Sequence, residues 1–139
     1  MAEFLVTHSY EASPERVFDA WLDPAVARRF LFATPTGEMI RAETDPRVGG
    51  RFVFVDRRPD MGDVLHTGEY LEIDRPRRLA FTFGVPAFNP DFSTVLVEIA
   101  PTAGGCEVTL IQSDVPAEWT DRSKHGWGTI LDGLEAALA

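Results

Sequence analysis

The order of apolar and polar positions changes period twice along the chain, and those changes mark its elements. From Glu3 to Tyr10, Phe4, Val6, His8 and Tyr10 alternate against Leu5, Thr7 and Ser9, the two-residue period of a strand. ASPERVFDAWLDP then shifts to helical spacing: Ser13 is suited to cap, Pro14 to open, and Val17, Phe18, Trp21 and Leu22 form one apolar face. The residue before Pro24 leaves the helix, and a second short helix is expected over Pro24 to Phe30. After a loop around Thr34 to Gly37, Met39 to Thr44 reads as a strand, and Gly49–Gly50 as a bulge or sharp bend. Residues 50–57 and 63–74 form a hairpin about RPDMGD. RLAFTF, Phe92 to Ala100 and Cys106 to Gln112 supply three more strands, with TAGG as a tight turn between the last two.

The last stretch, Pro116 to Leu138, reads as a single long helix. Trp127, Ile130, Leu131, Leu134 and Leu138 fall on one stripe, with Trp119 at its edge. Pro116 suits a first helical position, with Asp114 or Ser113 capping it. Such a helix spans roughly 33 Å and needs an equally long partner, here a curved sheet. The front of the stripe turns Thr120 and Ser123 inward beside the two tryptophans, which either lines a gap or lets the hydroxyls bond back to the helix's own carbonyls. Gly126 and Gly133 signal close approach by another element or a soft helix. Strand, two short helices, six strands, long helix: short loops imply antiparallel pairing, and helices on one face imply an α+β domain spanning 1–139.

Composition narrows the function. A length of 139 residues supports a core that needs no staples. The single cysteine, Cys106, excludes an internal disulfide and suits a reducing compartment. The start MAEFLVTHSYEASPE has neither a basic head nor a long apolar run, so no signal peptide and a cytoplasmic location are expected, with no membrane insertion. A net charge of -9 opposes nonspecific binding to nucleic acid. His8, His66 and His125 show no HxxxH or HExxH spacing, and neither a GxSxG elbow nor a phosphate-cradling loop is present. Neither a metal nor a cofactor is expected.

Four segments in order, SPERVFDAWLDP, DPRVGGRF, GEYLEIDRPRRLAFTF and HGWGTILDGLEAAL, cover nearly the whole chain. In these the sequence resembles the START-like, or helix-grip, superfamily, which includes polyketide cyclases. Within it, it resembles the small bacterial proteins named after the activator of the heat-shock-protein-90 ATPase. The resemblance implies a curved antiparallel sheet of six or seven strands gripping the C-terminal helix, with a cavity between them. Members bind lipids, polyketides, hormones or other apolar molecules, and some are cyclases or hydrolases. Family members often carry a tryptophan pair after the second short helix, where this chain has Arg29, Phe30, Leu31 and Phe32. The chaperone activator also has a separate chaperone-binding domain, for which 139 residues leave no room.

Given such a cavity, alternate strand positions line it. The phase that suits the core holds Phe4, Val6, His8 and Tyr10, then Phe52 and Phe54, then Leu79, Phe81 and Phe83. Val95, Val97 and Ile99 follow, with Cys106, Val108, Leu110 and Gln112 on the last strand. Most of these are plain core; the informative members are polar. His8, His66, Tyr70, Gln112 and Ser123 are candidate polar contacts, and Trp21, Phe52, Phe54, Phe81, Phe83 and Trp127 candidate apolar walls. Gly68, in phase with His66 and Tyr70, lets a ligand approach the backbone. Cys106 reads as a buried, unreactive thiol.

The leading expectation is a noncatalytic module that holds a small apolar or amphipathic ligand between helix and sheet. A second reading is a cyclase or hydrolase with His8 or His66 as acid–base and Tyr70 as donor. A third is a chaperone- or partner-binding module, which predicts a contiguous exposed apolar patch; a homodimer through a strand edge is a further possibility.

Overall fold

One side chain in two along each strand turns inward, and the stripe of the last helix covers them. A computed structural model describes residues 2–32, 36–88 and 90–138. In chain order these form β1 (Ala2–Tyr10), α1 (Pro14–Leu22), α2 (Pro24–Ala27), β2 (Glu38–Thr44), β3 (Arg51–Arg58), β4 (Gly62–Asp74), β5 (Arg78–Phe83), β6 (Ser93–Thr102), β7 (Gly105–Val115) and α3 (Thr120–Leu138). The sheet has seven strands in the order β1-β7-β6-β5-β4-β3-β2, antiparallel throughout. β2 to β7 meander, and β1 returns beside β7, leaving β1 and β2 as edges. The helix-grip architecture expected from the sequence is the one observed, with α1 and α2 directly after β1.

α3 lays Trp127, Leu131, Leu134 and Leu138 on the sheet, and all four are buried. Polar contacts fix its height. The Tyr10 hydroxyl donates to the Leu131 carbonyl at 2.7 Å, and the His8 imidazole meets Glu135 at 3.0 Å and Asp132 at 3.5 Å. Arg16 of α1 bonds the carbonyl of Leu138. Gly133 lets Phe30 come close, since a Cβ there would lie 3.3 Å from the Phe30 Cβ, whereas Gly126 has open space around it.

Two boundaries differ from expectation. The last helix starts at Thr120, after a 3-10 turn over Ala117–Trp119, because the β6–β7 ladder runs on to pair Thr94 with Ser113. Ser113 is therefore spent in the sheet, Asp114 sits at φ 63, and neither caps; no side chain caps Pro116. The second short helix ends at Ala27, and the chain then turns. The turn sends Phe30, Leu31 and Phe32 all into the core, whereas a continuing helix would bury only one face. The loop expected around Thr34 to Gly37 lies partly outside the described residues.

Candidate functional site

The middle of the space between helix and sheet is full of rings. Trp21 meets Phe30 edge-on at 5.5 Å and Trp127 at 6.4 Å. Phe52 meets Phe81 edge-on at 5.4 Å and Tyr70 at 5.7 Å. Between Trp21, Leu31, Phe52, Tyr70, Leu79 and Phe81 only about 10 Å³ is left, scarcely room for one water. Of Arg29, Phe30, Leu31 and Phe32, which stand where the resemblance leads one to expect a tryptophan pair, Arg29 is exposed and the other three are buried.

Space opens at the N-terminal end of α3, in a cleft of about 230 Å³. Phe83 and Gln112 come from the inward faces of β5 and β7, and Trp119 and Ser123 from the helix side. Val85 and Phe88 belong to the segment joining β5 to β6, and Phe88 is half exposed. Asp91, Asp114 and Arg122 bring charge to an otherwise mostly apolar lining. A larger depression of about 650 Å³ lies near the other end of α3, but Glu11, Arg16 and Glu135 among its walls suit solvent better than an apolar molecule.

A chain of hydrogen bonds sets the polarity of the cleft. Trp127 Nε1 donates to Gln112 Oε1 at 2.8 Å, Gln112 Nε2 donates to Ser93 Oγ at 2.7 Å, and Ser93 Oγ donates to the Phe83 carbonyl at 3.2 Å. The indole has only a donor to offer, so it fixes which end of the Gln112 amide faces the helix. Gln112→Leu strands the buried indole donor and is expected to cost about 2 kcal/mol, seen as a lower urea midpoint at unchanged slope.

His66 sits deeper, on β4, 5 % exposed. Its ring lies parallel to Phe32 at 4.7 Å and to Phe83 at 6.2 Å. Burial pulls its pKa down to about 4, and the charge of Arg58 adds to this; the backbone of Phe54 and Val64 and the charge of Asp56 pull the other way. At neutral pH the imidazole is therefore uncharged. Trp21 Nε1 and Thr120 Oγ1 are buried with no hydrogen-bonding partner among the described residues. Thr120 thus does not bond back to its helix.

Of the expected site residues, Phe83, Gln112 and Ser123 line the cleft, and Trp127 is bonded to Gln112 beneath it. His66, Phe52 and Phe54 stand in the ring cluster around Phe32, and Trp21, Tyr70 and Phe81 in the filled core beyond. His8 lies against the carboxylates of α3, away from the cleft. His66 and Tyr70 are four residues apart on one strand, roughly 13 Å, so no proton passes directly between them. Burial raises the pKa of Tyr70 and of Cys106. Gly68 faces the chain's own backbone rather than open space, since a Cβ there would lie 1.7 Å from the Thr82 carbonyl oxygen. Sequence reasoning passed over Ser93, although it continues the inward phase of Val95, Val97 and Ile99, and over Phe32, although an apolar triplet follows the short helix. Asp114, at positive φ, carries no such signal. No cluster of three or more His, Cys, Asp or Glu fit for a metal occurs among the described residues, and no helix of theirs is long and apolar enough to cross a membrane.

Comparison with known proteins agrees with this architecture. The family model described as activator of Hsp90 ATPase homolog 1-like protein matches residues 11–139. No curated protein matches the chain. Among solved structures, the chain is similar to an AHSA1-like protein from Aeromonas hydrophila studied in solution, with TM-score 0.85 and 26% identity over 99% of this chain and 92% of that one. It is similar to a protein from Chromobacterium violaceum, with TM-score 0.83 and 25% identity over 98% and 96% of the two chains. A protein from Nitrosomonas europaea shares the fold, with TM-score 0.83 and 22% identity over 98% and 93%.

Proposed function

The chain belongs to the family of activator of Hsp90 ATPase homolog 1-like proteins, and from that premise we propose that it binds a small apolar or amphipathic molecule in the cleft at the front of α3. One observation carries the reading: an otherwise packed interior leaves a mostly apolar recess there, with a fixed amide at Gln112 and hydroxyls at Ser93 and Ser123. Such a lining supplies apolar burial for affinity and a few polar atoms for orientation. At about 230 Å³ the cleft is smaller than the roughly 300–1,000 Å³ of sites for drug-sized ligands, which limits the occupant to a small molecule or one end of a longer one.

Titration with fatty acids, flavonoids and aromatic polyketide mimics, followed by tryptophan fluorescence, is expected to give saturable binding for at least one class. Ser123→Trp fills the recess from the helix side and is expected to weaken that binding about tenfold, close to 1.4 kcal/mol. Equal affinity in the variant would move the ligand elsewhere and end this reading.

A further inference from the structure

We propose that the outer face of the sheet, turned away from α3, docks a second copy of this chain in a weak dimer packed sheet against sheet. The contact is separate from the cleft and independent of what the cleft binds.

Ladder register builds an apolar row on that face. Leu5 of β1 pairs with Ile111 of β7, Ile111 with Leu96 of β6, and Leu96 with Ala80 of β5. One residue away along the same strands, Phe4, Leu110, Val95, Val97 and Leu79 are buried, so the row points the opposite way. Leu5 is half exposed and the other three are partly exposed. None of the four belongs to the core cluster of the described residues.

Pairing also sets the borders of the row. On one side Thr7, Thr109, Glu98 and Arg78 align across the same four strands. On the other side stand Ser113, Thr94 and Thr82, hydroxyls without charge, with an exposed Glu3 at the edge strand. At its β4 end the row meets Glu72, whose carboxylate is held by Arg78 at 3.1 Å.

A homodimer needs a surface that complements itself about a two-fold axis. Two such axes lay the row on its own copy. An axis across the row sets Glu98 against Glu98, like charge on like charge, which is unfavourable. An axis along the row sets the charged border against the hydroxyl border. Glu98 then faces Thr94 and Arg78 faces Thr82, so each charge meets a hydroxyl and like charges part. Aligned packing of two sheets is one of their two common geometries. About this axis Leu96, in the middle of the face, meets Leu96 of the second copy.

Size sets the strength. Four strands about 4.8 Å apart, with three residues of each on the face, make a patch roughly 20 Å on a side, about 400 Å² per copy. That is about half the contribution of each partner in a standard interface of roughly 800 Å² per side. A net charge of -9 on each copy adds long-range repulsion. The dimer is therefore weak, with Kd on the order of 100 μM.

Sedimentation equilibrium of the full chain, from about 5 to about 500 μM at about 0.15 M salt, reads the association. The wild type is expected to move from monomer towards dimer mass across that range. Leu96→Glu and Leu96→Lys each set a charge against its own copy, and each alone is expected to weaken association at least about tenfold. Mixed in equal amounts, the two variants are expected to associate again to within about threefold of the wild type, because opposite charges then meet. Loss of fold would not be repaired by mixing, and far-UV circular dichroism of each variant checks it directly. Monomer mass at every wild-type concentration would overturn the proposal and leave the face to another protein or to solvent. A dimer that neither variant weakens would overturn it too, placing the contact at the free edges of β1 or β2. So would variants that stay apart on mixing.

Discussion

Gly68→Ala is expected to keep the sheet from assembling, at a cost above about 4 kcal/mol. The new Cβ would lie 1.7 Å from the Thr82 carbonyl oxygen, 2.7 Å from its carbon and 2.8 Å from Phe52 Cε2. Two of those atoms are backbone of β5, and Gly68 is paired on its other side with Phe52 of β3. β4 cannot retreat from one neighbour without pressing on the other, and a pleated ladder has no slack of that size. Far-UV circular dichroism and the yield of soluble protein read the outcome. Gly126→Ala is the control: nothing lies within 4 Å of the added methyl, and alanine in place of glycine inside a helix stabilises by up to about 1 kcal/mol. If Gly68→Ala unfolds in urea with the wild-type midpoint, the described approach of β5 to β4 is wrong.

Acid is expected to destabilise the protein through His66. Its folded pKa is held down at about 4 against an ordinary value of 6.5, chiefly by burial. Between those two values the unfolded chain binds a proton that the folded chain refuses, so folding stability falls as pH drops from about 6.5 to about 4. The full contribution is present above pH 6.5 and is spent by about pH 4. A shift of this size corresponds to roughly 3 kcal/mol. His66→Phe retains an aromatic ring beside Phe32 and removes the titration. Urea midpoints taken at half-unit steps of pH are therefore expected to converge: the wild type loses roughly 3 kcal/mol more than the variant over that window. Asp19, whose pKa is lowered by its hydrogen bond to Arg75, titrates in both proteins and cancels in the comparison. Parallel curves for the two proteins would show that His66 is not buried as described.

These two residues show what the chain discloses and what it withholds. The strand phases were legible because a sheet covered on one face imposes strict alternation: Phe52, Phe54, Leu79, Phe81, Val95, Val97, Val108 and Leu110 are all buried, as their spacing requires. The stripe of α3 was legible for the same reason at a period of 3.6. Register across strands is another matter. Gly68 alternates correctly with His66 and Tyr70, but only pairing shows that Thr82 of β5, and not a ligand, occupies the space at its Cα. His8 likewise keeps the inward phase on β1, yet its strand is an edge, and the ring reaches past the core to Asp132 and Glu135. Gln112 is legible as an inward polar residue by its phase on β7, but its partner, the indole of Trp127 fifteen residues on, is set by packing that no local pattern shows. Phe32 lacks any periodic context, because it stands in a turn, and turns follow local dihedral chemistry rather than a repeating pattern.

Whether the recess at the front of α3 receives a ligand can be read from the three tryptophans, which sample three depths of that path. Trp119 lines the cleft, Trp127 is bonded to Gln112 beneath it, and Trp21 lies in the packed core. Each gives its own indole N–H signal in a proton–nitrogen correlation spectrum. Addition of a binding compound from the fatty acid, flavonoid and polyketide-mimic panel is expected to move Trp119 and Trp127 with the same saturation curve and to leave Trp21 in place. Movement of Trp21 alone, or three motionless signals with every class, would contradict the account.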